Sequence, residues 1–144
     1  GLMWEAKQAA GGHSKADTYS WYSTDTSING GREGTAAGGT CSLDDDCDTS
    51  TFVAYVNSQK LCGLATWRLP TLMELTSIVN HGAAAPAVDT TYFANTPYDK
   101  AFWTSDTSAN GEWGAWAVSF NDGVAVIDSK SVVRHVRLVA GEQE

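Results

Sequence analysis

The distribution of glycine constrains this chain more than any other feature. Half of the fourteen glycines lie between Gly11 and Gly39, interleaved with Ser, Thr and Asn, and no helical period runs through them. The pattern therefore predicts a Gly/Ser/Thr-rich loop or arm over about residues 11–46, flanking one short strand at residues 18–22. Residues 2–5 are predicted to form another short strand at the edge of the domain.

Length and composition indicate one globular domain spanning residues 1–144. The chain has 144 residues, is 42% hydrophobic and contains six Trp, which is enough to fill a single core. Its formal net charge of -8 would repel a phosphate backbone, so we expect no nucleic-acid partner. No stretch reaches the roughly 18 apolar residues that cross a bilayer, so we expect no direct membrane insertion.

The middle third of the sequence predicts two helices. Asp48 or Thr49 is a suitable N-cap for a helix that runs to about Ser58. The apolar stripe of this first helix consists of Phe52, Val53 and Val56.

A capping box marks the second helix. Pro70 favours an extended preceding residue, Thr71 can cap, and Glu74 completes the T-x-x-E pattern. The predicted buried face comprises Leu72, Leu75, Ile78 and Val79, and the helix is predicted to end at residues 80–82.

The last third is rich in predicted strands. Trp116, Val118 and Phe120 alternate with smaller residues, which predicts a strand with one heavily apolar face. Asp122 and Gly123 predict a type I′ hairpin turn into a strand at residues 124–127. Further strands are predicted at residues 132–139 and 102–104. The order of strands, helices and a terminal meander predicts an α+β fold.

Several motifs, in their order and spacing, resemble a known bacterial family. They are the opening Gly1-Leu2-Met3-Trp4, Trp67-Arg68-Leu69-Pro70-Thr71 with Glu74-Leu75, Phe102-Trp103-Thr104-Ser105, Ala115-Trp116-Ala117-Val118-Ser119-Phe120 and Val136-Arg137-Leu138-Val139. Together they resemble domain of unknown function 1566, the family of the C-terminal domain of the Legionella collagen-like adhesin.

This resemblance implies a C-type-lectin-like fold, with two helices packed on a small antiparallel sheet and long loops. It also implies an extracellular or surface-displayed module. The chain departs from the family in two respects. Thr66 stands where an Asp often precedes the Trp-Arg-Leu-Pro motif, so a carboxylate partner for Arg68 is missing there. The adhesin is thought to bind sulfated glycosaminoglycans through basic surface, whereas this chain is acidic.

The acidic turn before the first predicted helix is the candidate metal site. Asp44, Asp46 and Asp48 alternate as in the opening of a calcium loop. An EF-hand is excluded because Thr49 and Tyr55 occupy the positions that need Gly and Glu. A solvated acidic turn is the favoured alternative. We expect no required cofactor, and calcium is the one cofactor that this turn suggests.

The candidate ligand-binding residues lie in two loops, at about residues 95–99 and 105–113. They are Trp113, Glu112, Asn110, Tyr98 and Asp99. Trp113 is flanked by turn residues and is predicted to be exposed, whereas Trp103 and Trp116 lie in strand-like runs and are predicted to be buried. Loops on a rigid scaffold commonly carry recognition.

Other residues near the second predicted helix are expected to be structural. These are Trp67, Arg68, Pro70, Thr71 and Glu74. We expect the Arg68 guanidinium to be partly buried and bonded to backbone carbonyls or to a nearby acid. The only basic cluster is Arg134, His135 and Arg137, for which we favour a salt bridge from one arginine to a neighbouring acid.

Three cysteines allow one disulfide. A helix between Cys47 and Cys62 would separate the two sulfurs by about 15 Å, so these residues cannot pair with each other. Cys41 is therefore the common partner. Pairing of Cys41 with Cys47 closes the shorter loop and is favoured, and pairing of Cys41 with Cys62 remains the alternative. The unpaired thiol is expected to be buried or paired between chains.

These observations favour a binding or adhesion module over an enzyme. The expected partner is a glycan or protein on another surface. The alternative is a structural subunit of a surface filament or adhesive oligomer, in which the polar arm docks on another copy of the chain. An enzyme of the formylglycine-generating fold class is the third reading. Those enzymes use late cysteines, whereas all cysteines here precede residue 63, so no catalytic residue is assigned.

Overall fold

The computed structural model describes residues 1–43 and 46–141 and confirms the α+β class. Its elements, in chain order, are β1 (Met3–Trp4), α1 (Thr49–Gln59), a short 3-10 turn (Leu61–Gly63), α2 (Leu72–Ser77), β2 (Phe102–Thr107), β3 (Gly114–Val118), β4 (Ala125–Ser129) and β5 (Val139–Ala140). Two helices, small antiparallel sheets and long loops are consistent with a small C-type-lectin-like domain.

Two separate antiparallel sheets organise the chain. β2, β3 and β4 form a three-stranded sheet in sequence order, while β1 pairs with β5. The hairpin between β3 and β4 lies where the sequence predicted it. Its turn is not type I′, because Gly123 has a positive φ of 83° and Asp122 does not. The loop closes instead through the amide of Gly123, which donates to the Ser119 carbonyl.

Core side chains pack on both faces of the three-stranded sheet, although β4 is only half-buried. Trp103, Ala115 and Ala117 point into the larger core cluster, which also receives Trp21 from the N-terminal third and Phe52 from α1. The other face consists of Phe102, Val118 and Phe120, against which Leu75 of α2 packs. α1 and α2 thus contribute to opposite sides of the sheet.

The prediction of one heavily apolar face on β3 was therefore wrong. Ala115 and Ala117 are completely buried because large aromatic side chains pack directly on them, whereas Trp116 is only half-buried. The predicted burial of Trp103 is confirmed.

Both helices begin as the sequence predicted. Asp48 caps α1, accepting the amide of Thr51 at 2.8 Å, and Thr71 and Glu74 form the reciprocal capping box of α2. α2 ends at Ser77, a turn before the predicted end at residues 80–82. The amide of Asn80 donates to the Ala87 carbonyl, so this residue is no longer available to extend the helix.

Two predicted strands are not continuous strands. Tyr19, Ser20 and Tyr22 form isolated bridges with three different partners, and only the end of the predicted strand 132–139 enters a ladder, as β5. Successive residues pair with unrelated parts of the chain, so no regular ladder can develop.

The glycine-rich segment, residues 11–43 and called the arm below, packs on its own domain. The indole of Trp21 donates to the Thr104 carbonyl at 2.9 Å, and the indole of Trp103 donates to the Tyr19 carbonyl at 2.8 Å. Lys130 is buried and donates to the carbonyls of Asn29 and Arg32, each at 2.9 Å. The expectation of a weakly structured arm is corrected by these bonds.

The disulfide joins Cys41 to Cys47, as favoured, with Cα atoms 5.8 Å apart. The alternative pairing of Cys41 with Cys62 is wrong. Cys62 is free and exposed, so the thiol is not buried, and its pairing between chains stays a prediction.

Candidate functional site

A cleft of about 730 Å³ lies between the arm, the start of α1 and the segment that leads into α2. We call it the ligand cleft. Its lining is formed by Tyr22, Ser23, Asp25, Ile28, Thr49, Ser50, Val53, Arg68, Leu69, Thr71, Ser105 and Gly141. The volume falls in the range of small-ligand sites in proteins. Five separate parts of the chain build it, so the sequence alone does not reveal it.

One wall of the ligand cleft is fastened where the arm meets α1. The Tyr22 amide donates to Thr49 Oγ1 at 3.1 Å, and the same hydroxyl donates to the Tyr22 carbonyl at 3.0 Å. Ser50 and Val53 lie three residues apart on α1, so they share one face of the helix. This reciprocal bond fixes the arm against that face.

The opposite wall includes a β-bulge in β2. Between Trp103 and Thr107 this strand advances four residues while β3 advances two. Thr104 donates its hydroxyl to the Trp116 carbonyl, and the Asp106 carboxylate accepts the first amide of α2, that of Leu72, at 2.7 Å. The bulge places Ser105 in the lining of the cleft.

Arg68 forms the most highly connected edge of the ligand cleft. Its guanidinium makes a two-pronged pair with Glu74, at 2.7 and 2.8 Å, and also donates to the carbonyls of Leu69 and Gly141. These bonds raise the pKa of Arg68 and lower the pKa of Glu74, so both groups are charged. The prediction for Arg68 is confirmed, and Glu74 supplies the carboxylate that Thr66 does not.

The cleft combines an apolar floor with unused hydrogen-bonding groups. Ile28, Val53 and Leu69 are the aliphatic side chains of its lining. Among the described residues, the hydroxyls of Ser50 and Ser105 have no hydrogen-bond partner, and neither has Arg68 Nε. These groups are free to bond a ligand.

Asp25 is the only acid among the described residues of the lining. It is exposed, and its Oδ1 accepts both the amide and the hydroxyl of Ser27. Those bonds lower the pKa of Asp25, so it carries a negative charge at neutral pH. Since Arg68 is neutralised by Glu74, the cleft offers no unpaired cation. Neither a histidine nor a cysteine occurs in its lining.

The predicted ligand-binding residues do not line the cleft, and the structure does not bring them together. Tyr98 and Asp99 precede β2, whereas Asn110, Glu112 and Trp113 follow it. The six residues of β2 lie between the two groups in the chain.

The two groups also differ in their surroundings. Trp113 is 48% exposed, as predicted, and its indole lies against Gly111. Asp99 is anchored by the buried His135, whose Nε2 lies 2.8 Å from Asp99 Oδ1. Because Nδ1 of His135 faces the Asp17 carbonyl, the imidazole uses both nitrogens internally.

The predicted metal residues are in different situations. Asp44 lies outside the described residues. Asp46 is exposed. Asp48 is buried, and both its carboxylate oxygens accept backbone amides, those of Thr51 and Ala37. Across residues 1–43 and 46–141, no group of three His, Cys, Asp or Glu side chains is arranged to hold a metal ion.

Most basic side chains are used internally. Three are buried: Lys7, Lys130 and Arg137. Three more form ion pairs: Arg68 with Glu74, Lys100 with Asp99 and Arg134 with Asp128, the last as expected for the basic cluster. Within the described part of the chain, the other three of the nine Lys and Arg residues, Lys15, Arg32 and Lys60, are exposed and form no ion pair. The surface therefore offers few cations to an anionic ligand.

A buried polar cluster ties the N-terminal segment to the C-terminal one. Glu5 accepts Lys7 at 2.8 Å and lies 2.6 Å from His13, while its carbonyl accepts Arg137. Burial alone would raise the pKa of Glu5, but the contacts with Lys7 and His13 keep it below the ordinary value. The Lys7 ammonium is paired with the Glu5 carboxylate, and the Arg137 guanidinium bonds the Glu5 carbonyl and Thr96 Oγ1, so we interpret the cluster as structural.

Sequence reasoning missed the residues that make the cleft, above all Tyr22, Asp25, Ile28, Ser50 and Ser105. The one available signal was polar: after two aromatic residues, β2 continues with four polar ones, Thr104 to Thr107, and the bulge lies in this part of the strand. Trp67 is buried with its indole bonded to the Leu61 carbonyl, and Pro70 is also buried; a structural role for both stays a prediction.

No helix in the described ranges is long and apolar enough to cross a membrane. The family model of the Lcl C-terminal domain matches residues 1–140 of the chain. No curated protein and no solved structure gives a significant match.

Proposed function

Because the chain belongs to the Lcl C-terminal domain family, an adhesin-associated domain, we propose that it is a surface-displayed binding module whose ligand occupies the ligand cleft. The observation that carries the proposal is the cleft itself, a site of about 730 Å³ with an aliphatic floor and free hydroxyls. The Cys41–Cys47 disulfide supports an oxidising, extracellular location.

The chemistry of the cleft favours an uncharged ligand that has an apolar face and several hydrogen-bonding groups. Val53 and Leu69 can contact the apolar face, while Ser50 and Ser105 can bond hydroxyl or amide groups. Asp25 disfavours anions, and no unpaired cation lines the cleft. A neutral glycan meets these requirements, whereas a sulfated polysaccharide does not.

Binding is favoured over the other two readings on specific grounds. An enzyme of the formylglycine-generating class would need a reactive cysteine, and Cys62 lies outside the lining of the cleft. A filament subunit was suggested by a free arm, but this arm is bonded to its own core through Trp21 and Lys130. We propose no required cofactor, and calcium at the acidic turn stays an expectation.

The loops predicted from the sequence retain a separate, smaller proposed role. Trp113, with Asn110 and Glu112, forms an exposed turn that could contact a protein carrying the ligand. Tyr98 is 48% exposed beside Asp99 at the other end of β2. These two surfaces precede and follow β2 in the chain, and we propose that they contact different parts of a partner.

A pair of substitutions on α1 tests the cleft. Ser50→Glu introduces a long charged side chain into the lining, while a negative charge at the start of a helix does not destabilise it. Ser58→Glu adds the same charge near the other end of the helix, outside the lining. On an array of neutral oligosaccharides, Ser50→Glu should abolish retention and Ser58→Glu should preserve it.

Immobilised heparin is the comparison probe. We expect the unmodified protein to be retained by neutral oligosaccharides and not by heparin at physiological salt. Retention on heparin that is unaffected by Ser50→Glu would contradict the proposal. Concentration-dependent polymers in light scattering, without any retention on the array, would favour the filament subunit instead.

A further inference from the structure

The chain contains two Asn-Gly dipeptides, Asn29-Gly30 and Asn110-Gly111, in contrasting environments. Asn followed by Gly is the dipeptide most prone to deamidate, because glycine presents its backbone nitrogen without a side chain in the way. The same chemical pair thus occurs twice in one protein, and the structure decides which copy can react.

Asn29 is held rigidly. It is 2% exposed, its Nδ2 donates to the Ser23 carbonyl at 3.0 Å, and its Oδ1 accepts the Gly31 amide at 2.8 Å. Its side-chain carbonyl carbon cannot turn towards the Gly30 nitrogen unless both bonds break. Because two hydrogen bonds must break before each attack, this requirement should slow the reaction more than about tenfold.

Asn110 has no such restraint. It is exposed, and no described residue bonds its side-chain amide. The Gly111 amide makes only a long contact, 3.4 Å, with the Ser108 carbonyl. The indole of Trp113 occupies the space that a Cβ at position 111 would need, so packing in this turn requires glycine after Asn110.

We propose that Asn110 is a self-modification site. The Gly111 nitrogen, losing its proton, attacks Cγ of Asn110; the Cγ–Nδ2 bond breaks, and ammonia leaves with that proton. The resulting five-membered succinimide is opened by one water molecule at either carbonyl, which gives aspartate or isoaspartate at position 110. No oxidation or reduction occurs, and water is the only co-reactant.

The product changes the exposed turn. One negative charge appears beside Glu112, and the isoaspartate form lengthens the backbone by one methylene two to three residues before Trp113. The turn that presents the most exposed tryptophan would therefore change its charge and shape as the protein ages outside the cell.

The test uses the two dipeptides as a matched pair. The folded protein is incubated at pH 8 and 37 °C, and peptide mapping follows the mass increase of one dalton at each site, with isoaspartate methyltransferase labelling as a second measurement. A parallel incubation in guanidinium chloride gives the intrinsic rates, and Asn110→Gln removes the first site.

In the folded protein we expect Asn110 to react more than about tenfold faster than Asn29, with isoaspartate as one product. In guanidinium chloride the two sites should react at similar rates. If Asn29 reacts as fast as Asn110 in the folded protein, or if folding slows Asn110 to the rate of Asn29, the proposal is wrong.

Discussion

The arm and the three-stranded sheet satisfy their backbone hydrogen bonds in different ways. In the sheet, regular ladders join β2, β3 and β4. In the arm, backbone pairing is limited to isolated bridges, and side chains from distant elements bond the backbone carbonyls. A Trp from each region is completely buried and bonds the backbone of the other.

The difference shows that a glycine-rich segment is not mobile merely because it lacks regular secondary structure. Gly34 and Gly39 allow the arm to approach the backbone of Trp21 and Thr18 so closely that a Cβ would clash. Buried donors such as Lys130 then satisfy carbonyls that would otherwise need water. We expect substitutions in the arm to lower the free energy of unfolding as much as substitutions in the sheet, wherever these donors bond the arm.

The largest expected effect comes from removing either buried tryptophan. Trp21→Ala and Trp103→Ala should each lower the free energy of unfolding by about 3 to 5 kcal/mol, because each empties a completely buried site. Urea denaturation of both variants measures the loss. If Trp21→Ala costs less than about 1 kcal/mol, the arm adds little to the core and the equivalence of the two regions is wrong.

Removing the buried ammonium of Lys130 should affect the arm and leave the three-stranded sheet unchanged. Lys130→Met removes the ammonium that lies 4.2 Å from the centre of the Trp21 ring and leaves the carbonyls of Asn29 and Arg32 without their donor, at a cost on the order of 2 kcal/mol. Native-state hydrogen exchange should show faster exchange of arm amides such as that of Thr35. The exposed Lys15→Met is the control, and equal acceleration throughout the sheet would contradict a local role for Lys130.

A substitution at Arg68 tests whether side-chain hydrogen bonds also stabilise the part of the domain outside the arm, where Arg68 joins α2 to the residue after β5. Arg68→Lys loses the two-pronged pair with Glu74 and the bond to the Gly141 carbonyl, so we expect a loss of about 1 to 2 kcal/mol. Thermal denaturation measures the effect. Unchanged stability would mean that the segments around β5 and α2 are held by packing alone.

The Arg68–Glu74 pair also makes the free energy of unfolding depend on pH in the acid range. Arg68 holds the pKa of Glu74 below its ordinary value of 4.5, so the unfolded chain binds the proton more readily. The stabilisation is present above about pH 4.5 and is lost as pH falls through the folded pKa. Glu74→Gln should flatten the acid side of the stability curve, measured by urea midpoints between about pH 3 and 6. A curve that remains as steep would assign the acid response to other carboxyl groups.

The smallest effect is expected at the exposed turn. Trp113→Ala should change the free energy of unfolding by no more than about 0.5 kcal/mol, because nearly half of the side chain is already in water. The half-buried Trp116→Ala should lose about 1 to 2 kcal/mol and serves as the comparison. A loss at Trp113 as large as that at Trp116 would place this turn within the structural core.

Features governed by neighbouring residues were predictable from the sequence. The caps at Asp48 and Thr71, the position of the hairpin and the Cys41–Cys47 pairing depend on residues close in sequence, and all are confirmed. The sequence predicts that Arg68 bonds either backbone carbonyls or a nearby acid, and in the structure it bonds both.

Features that depend on distant contacts were not predictable. The burial of Ala115 follows from aromatic side chains that arrive from the arm and β2, which no alternation within β3 reveals. The ligand cleft likewise exists only because residues from the arm, α1, β2 and the segments at Arg68 and Gly141 converge. Periodicity describes one element at a time, whereas these features require the relative placement of several.

The reciprocal indole bonds also bear on how the domain folds. They join residues 83 and 84 positions apart, and the Lys130 bonds span about a hundred. Such long loops must close before the bonds form, so the arm cannot be completed until β2 and the residue after β4 are in place. A nascent chain would therefore expose the arm, including Trp21, until the later strands have been synthesised.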